Sequence, residues 1–268
     1  MEAMPDDLIC LDRYPVNAPR SPEFQRLCEW AQAELDQRSV VVLPDFLQPH
    51  ALQRMRQEAL ELFPLAHHMD GVATLYPEHK EDTTLPLDHI RRRRFHTSLH
   101  AIAYSLIPLD SPLRALYEWD PLMQFVGALL GLDTIYRNED IFSALNLAVM
   151  TDGDEFGWHF DQTDFVVSLA LQESDLGGEF NCRHAIRSDH DDNDAGVKSV
   201  VEWRDEAIAT VPMKAGTFML FQGRHALHSV KPIQGDTPRI VALLAYDTKP
   251  GMVSSAALHK VRFGIESR

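Results

Sequence analysis

Residues 157–172 read GWHFDQTDFVVSLALQ. The second half of this stretch, Phe165–Gln172, is a β-branched and aliphatic run of the kind that fills a buried strand. The first half holds His159 and Asp161 with Phe160 between them. Side chains alternate along a strand, so His159 and Asp161 share one face while Trp158 and Phe160 take the other. An imidazole and a carboxylate thus converge on one point, and the two aromatics are expected to pack.

Working outward, the chain changes character near residue 134. Short β-rich runs follow at Thr134–Tyr136, Ala144–Met150, Val200–Trp203, Ala207–Val211, Thr217–Phe221 and Ile240–Tyr246. Gly153, Gly177-Gly178, Gly216, Gly223 and Gly235 punctuate them. Many short strands at this spacing predict a sandwich or barrel. The acidic stretch Ser188–Gly196 reads as an exposed loop.

Before residue 134 the pattern is mainly helical. Ser21-Pro22 and Ser111-Pro112 are N-cap and first-turn pairs. Phe24, Leu27, Ala31 and Leu35 form one helix face, and Pro49 opens a second helix. Pro121–Leu130 is helical up to Gly131. Ser39–Leu43 is a short buried strand, and Pro77–Arg94 is polar. No repeat or linker divides the 268 residues. The expectation is one domain over 1–268: a helical layer and lid over 1–133 and a β-core over 134–268. The segment 70–95 is expected to be the lid.

Lys plus Arg number 25 against 40 Asp plus Glu, a formal charge of −15. A chain this acidic lacks the basic face that nucleic acid requires and is repelled by anionic membrane surfaces. Three cysteines, Cys10, Cys28 and Cys182, lie far apart without a CxxC spacing, which argues against a disulfide framework. Neither a basic, apolar leader nor a span of ~20 apolar residues is evident. The expected location is the cytoplasm, with a homodimer allowed.

About seventy residues after His159, in AGTFMLFQGRHALHSVKP (215–232), come His225 and His228. One more imidazole completes a two-His, one-carboxylate triad, the donor set that suits non-haem Fe(II). His228 is the preferred ligand because Arg239 follows it by eleven residues; His225 is the alternative. Arg239 opens the strand Arg239–Tyr246, and a guanidinium there can grip a carboxylate bidentately.

His-x-Asp, a distant His and then an Arg within a β-rich half resembles the iron- and 2-oxoglutarate-dependent oxygenases. The resemblance extends to GGEF (177–180), PRIVALLAYDTKPG (238–251) and IAYSLIPLDSPLRALYEWDP (102–121), and covers roughly residues 85–265. These motifs resemble a family of such enzymes acting on free amino acids, which contains halogenases and hydroxylases. The resemblance implies a double-stranded β-helix, or jelly-roll, with Fe(II), 2-oxoglutarate and dioxygen as cofactor and cosubstrates. It implies His159, Asp161 and His228 as metal ligands and catalytic centre, with Arg239 on the distal carboxylate of 2-oxoglutarate.

Halogenases of this kind carry a small residue, commonly Gly, where the carboxylate ligand would be, and chloride takes the vacated position. Asp161 stands there in this chain. The implied reaction is therefore hydroxylation of an unactivated carbon, coupled to conversion of 2-oxoglutarate to succinate and carbon dioxide.

The implied substrate is a small molecule, a free amino acid or a derivative. Arg94, in the basic run 91–94, is a candidate for its carboxylate. Asp140 and Glu139 are candidates for its ammonium group. Asn146 is a candidate for 2-oxoglutarate. Phe156 stands where the lysine-type branch has a polar histidine, and 240–247 lacks that branch's Asn and Thr, so the pocket is expected to be more apolar than a lysine site. Phe263 stands near the end, where an aromatic residue is expected. A peptide or conjugated substrate, or a metabolite-binding protein of the same fold without catalysis, are the alternative readings.

Overall fold

The structure is a computed structural model and describes residues 4–76 and 82–265; the start of the polar stretch expected over 77–94 lies outside the described residues. Eleven antiparallel strands form the main sheet: β1 (Val40–Leu43), β2 (His67–Thr74), β3 (Arg94–Ile102), β4 (Leu145–Met150), β5 (Phe156–His159), β6 (Val166–Gln172), β7 (Phe180–Arg183), β8 (Ala209–Val211), β9 (Phe218–Phe221), β10 (Leu227–Val230) and β11 (Arg239–Leu244). Their spatial order is β1-β9-β6-β11-β4-β3-β5-β10-β7-β8, with β2 paired to β3. The sheet curls into the expected jelly-roll, with several helices around it.

Strand alternation divides the residues between two surfaces. On β4, Leu145, Leu147 and Val149 belong to the outer core; on β6 Val167, Leu169 and Leu171; on β9 Phe218 and Leu220; on β11 Ile240, Ala242 and Leu244. This face is covered by α1 (Pro22–Arg38), α2 (Pro49–Leu62), α3 (Pro112–Glu118) and α4 (Asp120–Leu129), which contribute Phe24, Met55, Leu116 and Phe125. The intervening residues Ala148, Met150, Met219 and Phe221 belong to a separate inner cluster with Phe180 and Cys182. Burial holds the Cys182 thiol up at about 12, so it remains protonated and serves as an apolar filler.

Both expected serine caps form. Ser21 accepts a hydrogen bond from the Phe24 amide at 3.1 Å and Ser111 from the Arg114 amide at 3.3 Å. Ser21→Ala should lower stability by about 1 kcal/mol, the usual worth of such a cap. Urea unfolding would show it as a lower midpoint at constant slope.

Two regions differ from the sequence reading. Val200–Trp203 is not a strand: α5 spans Asp194–Val201, and it also takes the end of the acidic stretch expected as loop. Asn193 caps α5 by accepting from the Gly196 amide, and Val197, Val200 and Val201 recur at helical spacing on its buried face. Burial against Trp158, Phe160 and Leu227 outweighs the β-preference of valine. The second difference lies in the first third of the chain. The region 67–102 contains the long hairpin β2–β3, paired from His67↔Ala101 to Thr74↔Arg94. Through β1 and β3 the sheet takes strands from before residue 134. β2 is mostly exposed and polar, so it carries no apolar alternation to reveal it.

No described helix is long and apolar enough to cross a membrane.

Candidate metal centre

His159 and His228 face each other across β5 and β10, in register. Trp158 and Leu227, their neighbours, join the outer cluster around α5. The two imidazoles therefore point inward, as alternation requires. Asp161 follows β5, and its amide donates to the Gly223 carbonyl at 3.1 Å. Asp161 Oδ1 lies 3.8 Å from His159 Nε2 and 3.5 Å from His228 Nε2. The three ligating atoms lie within 4.8 Å of one another.

The imidazoles are held in one tautomer. His159 Nδ1 donates to the Gly157 carbonyl at 2.8 Å, and His228 Nδ1 donates to the Ala226 carbonyl at 3.0 Å. Each Nε2 lone pair is thereby aimed at the centre. Burial, then the neighbouring His228, pushes the His159 imidazole down to about 3, so it is neutral and ready to ligate. Burial raises the Asp161 carboxyl, but His228 and then His159 more than offset this and keep it ionised. Asp161 Oδ2 is buried without a hydrogen-bond partner. Two neutral nitrogen donors and one ionised carboxylate with an uncommitted oxygen fit Fe(II) on one octahedral face.

Three aromatic side chains flank the triad. Phe156 stacks on His159 at 4.0 Å between centroids and 16° between planes. Phe221 lies edge-on to His228 at 4.7 Å, and Phe180 lies 5.5 Å away. His225 is half-exposed and pairs with Asp189 at 2.9 Å, so His228 is the histidine beside Asp161.

Arg239 alternates with the outward Ile240 and is buried. Its one hydrogen-bond partner among the described residues is Met150 Sδ, at 3.9 Å. Burial lowers the guanidinium to about 10, still charged at neutral pH. Two further polar atoms of β6, Ser168 Oγ and Gln172 Oε1, are buried without partners. A buried cation with no carboxylate of the described residues beside it fits an anionic ligand.

The other sequence candidates fall differently. Asn146 is buried; its Nδ2 donates to the Ser143 carbonyl at 3.2 Å, and its Oδ1 accepts from Arg262 Nη2 at 3.0 Å. Asp140 is not open to a substrate ammonium. Its carboxylate takes the Phe142, Ser143 and Ser254 amides and His259 Nε2, the last at 2.6 Å. It anchors α6 (Ala256–Phe263) to the loop before β4. Arg94 is exposed at the start of β3, opposite Thr74. Phe263 is buried in the inner cluster.

Two contributors were not identified from sequence. Arg262 of α6 faces the centre: it interacts electrostatically with both His159 and Asp161, and burial lowers it to about 10. Its place beside the buried Phe263 and three residues after His259 was the available signal. Gly223 is the other. A Cβ built on it would fall 1.7 Å from Asp161 Oδ2, so only glycine leaves room for the carboxylate.

A curled antiparallel sheet with this inward donor set and a buried arginine has the fold and site of the Fe(II)- and 2-oxoglutarate-dependent oxygenases. The family model for Halogenase D matches residues 25–261, and the chain belongs to that family. No curated protein matches the sequence. Among solved structures, the chain is similar to the α-ketoglutarate-dependent epimerase SnoN of nogalamycin biosynthesis, with TM-score 0.58 and 16% identity over 83% of each chain. The carbocyclase SnoK of the same biosynthesis gives 0.55 and 16%, covering 92% of this chain and 93% of SnoK. A 2OG-Fe(II) oxygenase family oxidoreductase from Burkholderia pseudomallei gives 0.54 and 15%, covering 84% and 92%. At such identities the likeness is one of fold.

Proposed function

We propose that this chain is a 2-oxoglutarate-dependent dioxygenase that hydroxylates an unactivated C–H bond of a small molecule, a free amino acid or derivative. The observation that carries the reading is Asp161, a full carboxylate ligand with its space kept open by Gly223. His159, Asp161 and His228 would together hold Fe(II), and Asp161 would occupy the place that chloride needs in a halogenase. Bound Fe(II) and 2-oxoglutarate supply an oxidant that removes a hydrogen atom and returns hydroxyl, with release of succinate and carbon dioxide.

The chain's own residues do the rest. His159, Asp161 and His228 hold the metal on one face. Arg239 binds the distal carboxylate of 2-oxoglutarate, with the Ser168 hydroxyl within the same inner wall. Arg262, oriented by Asn146, takes the substrate carboxylate in place of the exposed Arg94. Phe156, Phe180 and Phe221 exclude water and set an apolar wall for the carbon skeleton. Leu243, inward on β11, extends that wall. This favours an aliphatic or aromatic side chain over that of lysine.

The experiment is succinate formation from 2-oxoglutarate with Fe(II) and ascorbate, with and without a pool of free amino acids followed by mass spectrometry. Succinate formation stimulated by the pool, with one amino acid gaining a single oxygen, is expected. Slow, unstimulated succinate formation would shift the substrate to a conjugated or peptidyl one. Iron binding without any succinate formation would sink the oxygenase reading.

A further inference from the structure

The β2–β3 hairpin carries a second group of metal-ligating side chains. On β3, Leu99 and Ala101 belong to the inner cluster, so Ser98 and His100 face the opposite surface. The hairpin register sets His68 across from His100. Their rings stack at 4.2 Å, with planes 12° apart. Asp154, in the loop between β4 and β5, lies beneath both. His68 Nε2 is 3.5 Å from Asp154 Oδ1, and His100 Nε2 is 3.8 Å from Asp154 Oδ2. The same two separations, 3.5 and 3.8 Å, occur between the histidines and Asp161 at the iron triad. Here too the three ligating atoms lie within 4.8 Å of one another.

The surroundings favour a cation. The Asp154 side chain is only 6% exposed. Burial raises its carboxyl, but the Ser98 hydroxyl and the Thr151 amide and hydroxyl hold it below the ordinary carboxylate range. No Lys or Arg among the described residues pairs with it; only the two histidines do. Burial, then His68, lowers the His100 imidazole, which leaves it neutral with a lone pair to give. A buried carboxylate without a permanent counter-charge is costly. A metal ion shared with two imidazoles removes that cost.

We propose that His68, His100 and Asp154 form a second metal site, selective for a borderline divalent ion such as Zn2+. Two imidazole nitrogens and one carboxylate oxygen are zinc donors, with water in the fourth position. Ser98 Oγ donates to Asp154 and lies 3.0 Å from His68 Nε2, so a bound ion would take the place of the serine on that nitrogen. The ion clamps the hairpin to the loop that enters β5, the strand of His159. The site uses no residue of the iron centre and does not depend on the proposed reaction.

The test is the zinc content of the full-length protein, stripped with chelator, dialysed against Zn2+ and analysed by mass spectrometry. Zn2+ also occupies the iron triad, so the wild type should hold about two equivalents. His68→Gln and His100→Gln should each hold about one, as should His228→Gln, and His68→Gln/His228→Gln about none. His68 is half-exposed, so its replacement leaves the fold intact, which circular dichroism checks. Zn2+ should also raise the melting temperature of His228→Gln but not of the double variant. Wild-type zinc content in both His68→Gln and His100→Gln would overturn the second site. Loss from those two but not from His228→Gln would leave it standing and overturn the triad instead.

Discussion

Replacing Gly223 by alanine should weaken Fe(II) binding about 100-fold, the upper range for residues that orient metal ligands. Residue 223 offers the metal nothing; its effect is spatial. The added Cβ would stand 1.7 Å from Asp161 Oδ2 and 2.5 Å from its Cγ, far inside contact distance. The backbone cannot withdraw without losing the bond between the Gly223 carbonyl and the Asp161 amide. Asp161 must therefore rotate away from the two histidines. Backbone strain is not the cause, because Gly223 is outside the positive-φ group of glycines. Iron content after equilibrium dialysis measures the loss. Asp161→Gly separates this from a folding defect: in that background Gly223→Ala should have no further effect, since nothing remains to collide with. A further loss there would make Gly223 a residue of the fold alone. Asp161→Gly by itself should abolish hydroxylation and open a position to chloride. Hydroxylation unchanged by that substitution would remove Asp161 from the metal.

What was legible in the sequence follows from distance along the chain. His159 and Asp161 sit within one alternating segment, and the parity that puts both inward also puts Trp158 outward. The same parity on 239–244 turns Arg239 inward and Ile240 outward, so one rule orients the candidate metal ligands and the buried arginine. Alternation fails where the pairing partner supplies no core. β2 is polar and mostly exposed, and only β3 makes it a strand. It fails again at Val197, Val200 and Val201, whose branched side chains suit strands but recur at helical spacing. Gly223 matters because of Asp161, sixty-two residues earlier, and Arg262 because of Asn146, 116 residues earlier. Contacts at such separations are created by the closure of the sheet, and no local pattern encodes them. Asp140 shows the converse. An acidic residue at a strand entry suggested an ammonium partner, but its oxygens are taken by the amides of its own loop and by His259 of α6.

Arg239→Met should raise the dissociation constant of 2-oxoglutarate by about two to three orders of magnitude, the range that follows from removing one partner of a buried charge pair. The guanidinium is buried, retains its charge and touches no carboxylate among the described residues. A ligand carboxylate would offset its desolvation, and the proposed pair is therefore expected to contribute strongly to cosubstrate affinity. Arg239→Lys should recover part of the affinity, because an ammonium restores the charge but not the two-pronged geometry. Arg262 is the internal comparison. It too is charged and partly buried, but Asn146 already satisfies one of its donors, and it sits on α6 rather than on the sheet. Arg262→Met should leave the 2-oxoglutarate constant within a few-fold of wild type and raise KM for the oxidised substrate. Calorimetric titration of 2-oxoglutarate into the Fe(II)-loaded variants under nitrogen distinguishes the two roles. Equal losses in both variants would assign Arg262 to the cosubstrate as well and leave the substrate carboxylate to another residue. An unaffected Arg239→Met would remove the cosubstrate from β11 altogether.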